Sequence, residues 1–148
     1  MTFALDITTF RTDRPGIRKV LGDLEAEIME VIWARPVDQG TTVRDIFEVL
    51  YARRHLAYTT VMNTMTRLAK KHLLRVEKKE HGYLYYPTST RQEFVSRFVS
   101  RILEDLLQSF SGETLESLQT ITHAEVTEQT RQMLAAILQQ RLHEEEAE

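Results

Sequence analysis

The sequence predicts a mostly α-helical protein with one small β-hairpin: a winged helix-turn-helix domain followed by a C-terminal helical dimerisation region. Three observations predict it. Apolar residues recur with a helical period in three short segments before Lys71. The period then drops to two on either side of a glycine-bearing turn. Wide apolar stripes return after Thr90, in helices too few to bury them alone. The 148 residues divide into an N-terminal arm (1–20), a winged-helix domain (21–89) and a helical dimerisation domain (90–148).

Residues 1–20 show no clear period and contain the turn signal Asp13-Arg14-Pro15-Gly16. They read as an arm, with disorder preferred over a minor-groove contact by Arg11, Arg14, Arg18 and Lys19. Leu24, Ile28, Val31 and Ile32 then form the stripe of a first helix, with Gly22 or Asp23 as N-cap and Pro36 as stop. After the Asp38-Gln39-Gly40 loop, Thr42 caps a second helix, with Asp45 three residues on in a capping-box arrangement. Its apolar face is Val43, Ile46, Phe47 and Leu50. A third helix starts near Thr59, with Val61, Met65, Leu68 and His72 on its inner face. Leu74, Val76 and Lys78 next alternate with Arg75, Glu77 and Lys79. A His81-Gly82 turn leads into Tyr83-Leu84-Tyr85-Tyr86, closed by Pro87.

A long helix follows Ser89-Thr90 and carries Phe94, Val95, Phe98, Val99, Ile102, Leu103, Leu106, Leu107 and Phe110. Ser111-Gly112 breaks it. A short helix with Leu115, Leu118 and Ile121 comes next, and a last one with Val126, Leu134, Ile137, Leu138 and Leu142. Each large apolar side chain gains about 1.5–3 kcal/mol when fully buried. Pairing with a second chain through Phe94, Phe98, Ile102, Leu106, Phe110, Leu134, Ile137 and Leu138 is therefore expected, the alternative being a helical subdomain within one chain.

The net charge of −3 conceals a split. Tyr51 to His81 holds eight basic and two acidic side chains, whereas Ile102 to Glu148 holds two basic and ten acidic ones. Polyanion binding depends on the field at one face, so the basic segment matters more than the total. No acid occurs between Glu48 and Glu77. The outward face of the third helix is read as Thr59, Thr60, Asn63, Thr64 and Arg67, residue types that hydrogen-bond base edges or touch a thymine methyl. Tyr58, Lys70, Lys71 and the wing residues Lys78 and Lys79 suit phosphate contacts, which position without specifying. Taken singly, each has a plainer reading: Thr59 as a cap, Arg67 paired with a surface acid, the tyrosines as hairpin packing. The combination favours double-stranded DNA.

Other chemistries are poorly served. With no cysteine, the chain has no disulfide, thiolate metal site or cysteine nucleophile. His55, His72, His81, His123 and His143 have no ligand spacing, and no phosphate loop, HExxH or GxSxG occurs. Neither an enzyme nor a cofactor is expected. No run approaches a membrane span and no secretory signal is visible, so a soluble cytoplasmic protein is expected.

Several runs resemble the penicillinase-repressor family (BlaI/MecI/CopY type). Leu21 to Trp33, containing Leu24-Glu25 and Ile28-Met29, resembles its first helix, and Thr42-Val43-Arg44-Asp45-Ile46 its second. Ala57 to Val61 with Arg67 to Lys71 is similar to its recognition helix, Gly82 to Pro87 to its wing, and Phe110-Ser111-Gly112 to its later helix break. The resemblance spans about residues 21–142. It implies a homodimeric winged-helix repressor on a dyad-symmetric operator, with swapped C-terminal helices. In better-known members a membrane sensor protease triggers repressor cleavage in response to β-lactam, so such a protease is a candidate partner. The chain departs from the pattern in lacking Cys, and in having Asn63 as its only Asn, so the family's Asn-Phe cleavage bond is missing. It also carries a longer N-terminal arm, and His72 where a Gly precedes the hairpin. A backbone needing φ > 0 there would strain histidine. A ligand-sensing winged-helix regulator of another family and a winged-helix protein-interaction module are the alternatives.

Overall fold

The computed structural model describes residues 9–123 and, beyond them, 128, 132, 135, 136, 139, 140, 143, 144, 146 and 147. Its elements are α1 (Asp23–Trp33), α2 (Val43–Arg53), α3 (Tyr58–Lys70), β1 (Leu74–Lys79), β2 (Gly82–Pro87), α4 (Arg91–Ser109) and α5 (Ser111–His123), preceded by a 3-10 turn, Gly16–Lys19. The chain forms two compact units, Met1–Arg101 and Ile102–Glu148, with the boundary inside α4.

The first unit closes around α1, α2 and α3. Ile28, Met29 and Ile32 from α1, Ile46 and Leu50 from α2, and Val61, Met65 and Leu68 from α3 are buried together. Thr42 accepts from the Asp45 N–H at 3.0 Å and the Asp45 carboxylate accepts from the Thr42 N–H at 3.1 Å, so the expected capping box starts α2. At α1 the N-cap is Gly22, whose N–H donates to Glu25 Oε1 at 3.0 Å.

β1 and β2 pair antiparallel from Leu74↔Pro87 to Lys79↔Gly82 around a two-residue turn. Gly82 has φ +125°, a conformation that costs glycine little. Thr41 adds a bridge to the hairpin: its N–H donates to Tyr85 O at 3.0 Å, and the Tyr85 N–H donates back at 2.9 Å. Gly40 makes this approach possible, since a Cβ there would sit 2.9 Å from Tyr86 Oη and 3.0 Å from Leu84 Cβ.

Four expectations are corrected. Residues 16–20 are not a free arm, because Ile17 and Val20 are buried, while residues 1–8 lie outside the described residues. Arg14 and Arg18 ion-pair with Asp23 at 3.4 and 3.8 Å instead of extending away. Phe94 and Phe98 are buried inside the first unit, not held for a second chain. The Phe94 ring lies 5.3 Å from Trp33, whose indole N–H donates to Ser89 O at 3.0 Å, and Arg91 pairs with Glu30 at 2.9 Å. These contacts draw the start of α4 into the winged-helix core. Finally, His72 lies exposed beyond α3 with φ +63°; it leaves the core face, and the strained backbone inferred for it is present.

In the second unit the break falls at Phe110, and Ser111-Gly112 opens α5. Ile102 is half-buried, while Leu103, Leu106, Phe110, Leu115 and Ile121 are exposed. Leu134, Ile137 and Leu138 lie outside the described residues.

Candidate nucleic-acid interface

α3 separates two chemistries by its period. Val61, Met65 and Leu68 anchor one side, and Thr59, Thr60, Asn63, Arg67 and Lys70 are exposed on the other. Thr59 is not a cap: Ala57 holds that position without a side-chain bond, so the Thr59 hydroxyl is not spent at the helix start. Tyr58 is half-exposed and packs edge-on against Phe47 at 5.5 Å, leaving it beside the helix start, where unbonded backbone N–H groups favour anions.

One predicted contact is corrected. Thr64 is only 1% exposed. It lies three residues after Val61 and four before Leu68, inside the buried stripe, and its hydroxyl donates to Thr60 O at 2.7 Å. Arg67 Nη2 donates to the same Thr64 oxygen at 3.3 Å, so Thr64 steers the guanidinium from below instead of facing a ligand. Lys71 donates from Nζ to Glu25 Oε2 at 2.8 Å, with its side chain partly exposed.

Glu25 is the feature that residue type concealed. It is 8% exposed on α1, at the spacing of Ile28, Met29 and Ile32. Burial acts to raise its pKa. The Lys71 hydrogen bond, the Gly22 N–H and the charges of Lys71 and Arg67 outweigh it, holding the carboxyl below its usual range. The start of α1 is thereby tied to the end of α3.

On the wing, Lys78 is exposed and stands opposite Tyr83. Lys79 lies 3.3 Å from Glu77, which Arg75 also binds, and the Arg75 guanidinium stacks 4.5 Å over Tyr86. Hydrogen bonds from Arg75 and Lys79 hold the Glu77 carboxyl below its usual range. The strand's one acid is thus covered by two cations. Among the described residues no acidic or histidine cluster fits a metal ion, and no helix is long and apolar enough to cross a membrane.

The family model described as penicillinase repressor matches residues 21–146. The chain belongs to the penicillinase repressor family. "Transcriptional regulator BlaI" of Mycobacterium tuberculosis is 46% identical over 76 residues, 51% of this chain and 54% of that protein. The penicillinase-repressor chain thus spans about half the length of the curated relatives it matches first. An uncharacterised 16.5 kDa protein of Latilactobacillus sakei is 28% identical over 114 residues, 76% of each chain. Among solved structures, heme sensor protein PefR from Streptococcus agalactiae aligns at TM-score 0.41 and 14% identity, over 80% of this chain and 71% of that one. The fold of the penicillinase-repressor chain is a winged helix-turn-helix. Its docked segment before residue 21 precedes the matched range.

Proposed function

We propose that the chain is a DNA-binding transcriptional repressor acting as a homodimer on a dyad-symmetric operator in the cytoplasm, and not an enzyme. The exposed face of α3 carries this reading: Asn63 offers an amide donor–acceptor pair, Arg67 a two-donor fork, Thr59 and Thr60 offer hydroxyls, and no acid shares the face. Lys70, Lys78 and Lys79 supply phosphate contacts, Lys79 by exchanging Glu77 for phosphate. Membership of the family supports the same reading.

The dimer reading rests on exposed Leu103, Leu106 and Phe110, and extends to Leu134, Ile137 and Leu138, which lie outside the described residues. The family resemblance adds a β-lactam-type stress regulon. A sensor protease gains no support from the chain itself, whose one asparagine, Asn63, sits on α3.

Equilibrium binding to duplex DNA across a salt series tests the function. With about 6–10 phosphate contacts per dimer, affinity should fall about 10³–10⁵-fold between about 50 and 200 mM salt. Absent or salt-independent binding contradicts it.

A further inference from the structure

The segment before α1 is folded, basic and joined to the recognition helix through a short series of contacts. Ile17, Val20 and Leu21 bury it against the first unit. Its backbone is closed by Arg11 N–H donating to Lys19 O at 2.7 Å, and Lys19 Nζ donates to Thr12 O at 3.2 Å and Arg14 O at 2.5 Å. Arg14 and Arg18 both approach one carboxylate oxygen of Asp23, the first residue of α1. Two residues on, Glu25 holds Lys71 at the end of α3, close enough to Arg67 for that charge to lower its pKa. Arg14 and Arg18 therefore gather at the N-terminal end of α1, the end that the Glu25–Lys71 pair joins to the C-terminal end of α3.

Two guanidiniums share one carboxylate there, an excess of one positive charge in this cluster among the described residues. Both pairs are long, and the side chains are 39% and 42% exposed. Exposed pairs of this kind contribute little, so a phosphate competes readily for either guanidinium. A flexible arm would lose entropy on binding; a docked segment has already lost it on folding.

We propose that Arg14 and Arg18 form a sequence-independent phosphate-binding patch that extends the DNA interface past the C-terminal end of α3. The proposal rests on the repressor reading and adds a binding element outside the family-matched range. Asp23 is then a resident competitor, occupying the patch until a phosphate replaces it.

The test measures affinity and salt slope for the full-length chain on a site selected from random DNA and on a mixed-sequence duplex. Arg14→Ala/Arg18→Ala removes four contacts per dimer, so it is expected to weaken both by the same factor, on the order of ten-fold or more, and to lower the slope by about three to four. Arg14→Lys/Arg18→Lys should keep the wild-type slope, since it keeps the charges. Asp23→Asn should tighten binding to both duplexes several-fold. A wild-type slope in the alanine pair, an equal loss in the lysine pair, or weaker binding by Asp23→Asn overturns the patch alone. A wild-type chain that binds neither duplex overturns the repressor reading and the patch with it.

Discussion

Replacing Lys71 by methionine measures how much of the fold depends on one ion pair. The 2.8 Å contact to Glu25 ties α3 to α1, and methionine keeps most of the stem while removing the charge. Breaking a fully buried pair costs about 3–5 kcal/mol. Losing a hydrogen bond to a charged group costs about 1.5–3 kcal/mol. The Lys71 side chain is 37% exposed, so water reaches the vacated side, and the Gly22 N–H still serves Glu25. The lower bracket applies, and a loss of about 2 kcal/mol is expected in urea unfolding near neutral pH. A pH series sharpens the test. A carboxylate with a depressed folded pKa contributes stability that is present above its unfolded pKa and lost as pH falls through the folded value. Wild type should therefore weaken in acid below the usual 4.5 of glutamate. Without Lys71 the burial of Glu25 acts with less opposition, and its proton becomes easier to hold. The variant's penalty should then be full near neutrality and shrink as Glu25 protonates. A penalty below about 0.5 kcal/mol near neutrality, within the range of ordinary surface substitutions, would refute the reasoning. So would one that stays constant into acid.

Three further outcomes follow from the same geometry. Arg67→Ala should cost about 1–3 kcal/mol of binding and relax preference at one base position, read by competition among single-base operator variants. Equal loss on every sequence would make Arg67 a phosphate contact. Gly40→Ala drives a Cβ to 2.9 Å from Tyr86 Oη, so a loss of about 1–3 kcal/mol in urea is expected, with faster amide exchange in β2; unchanged exchange would free the wing from that contact. Leu106→Glu should convert dimer to monomer in sedimentation equilibrium, and a surviving dimer would remove Leu106 from the interface.

Much of the winged helix was legible because its stripes are made of unambiguous apolar residues. Ile28 and Ile32, Ile46 and Leu50, and Val61, Met65 and Leu68 occupy the expected inner faces. Thr42 with Asp45 marked a helix start, and alternation before and after Gly82 marked the hairpin. Two departures share a cause: polar residues occupying apolar positions. Glu25 and Thr64 both sit on the buried period, and each is tolerated because a specific partner satisfies it: Lys71 for the carboxylate, the Thr60 carbonyl for the hydroxyl. Residue type alone assigns such positions to the surface. The 3-10 turn Gly16–Lys19 was missed because four residues are too short to display a period. Phe94 and Phe98 continue the same stripe as Leu106 and Phe110, and no feature of the stripe announces that its first turns belong to Trp33 and the first unit.

The proposed function sets the outer face of α3 against duplex DNA in a two-fold arrangement. Selection of binding sites from random duplexes with the full-length protein tests it most directly. A dyad whose half-sites lie about one helical turn, or a multiple of it, apart is the expected recovery. Folded protein that enriches no sequence at low salt would contradict it.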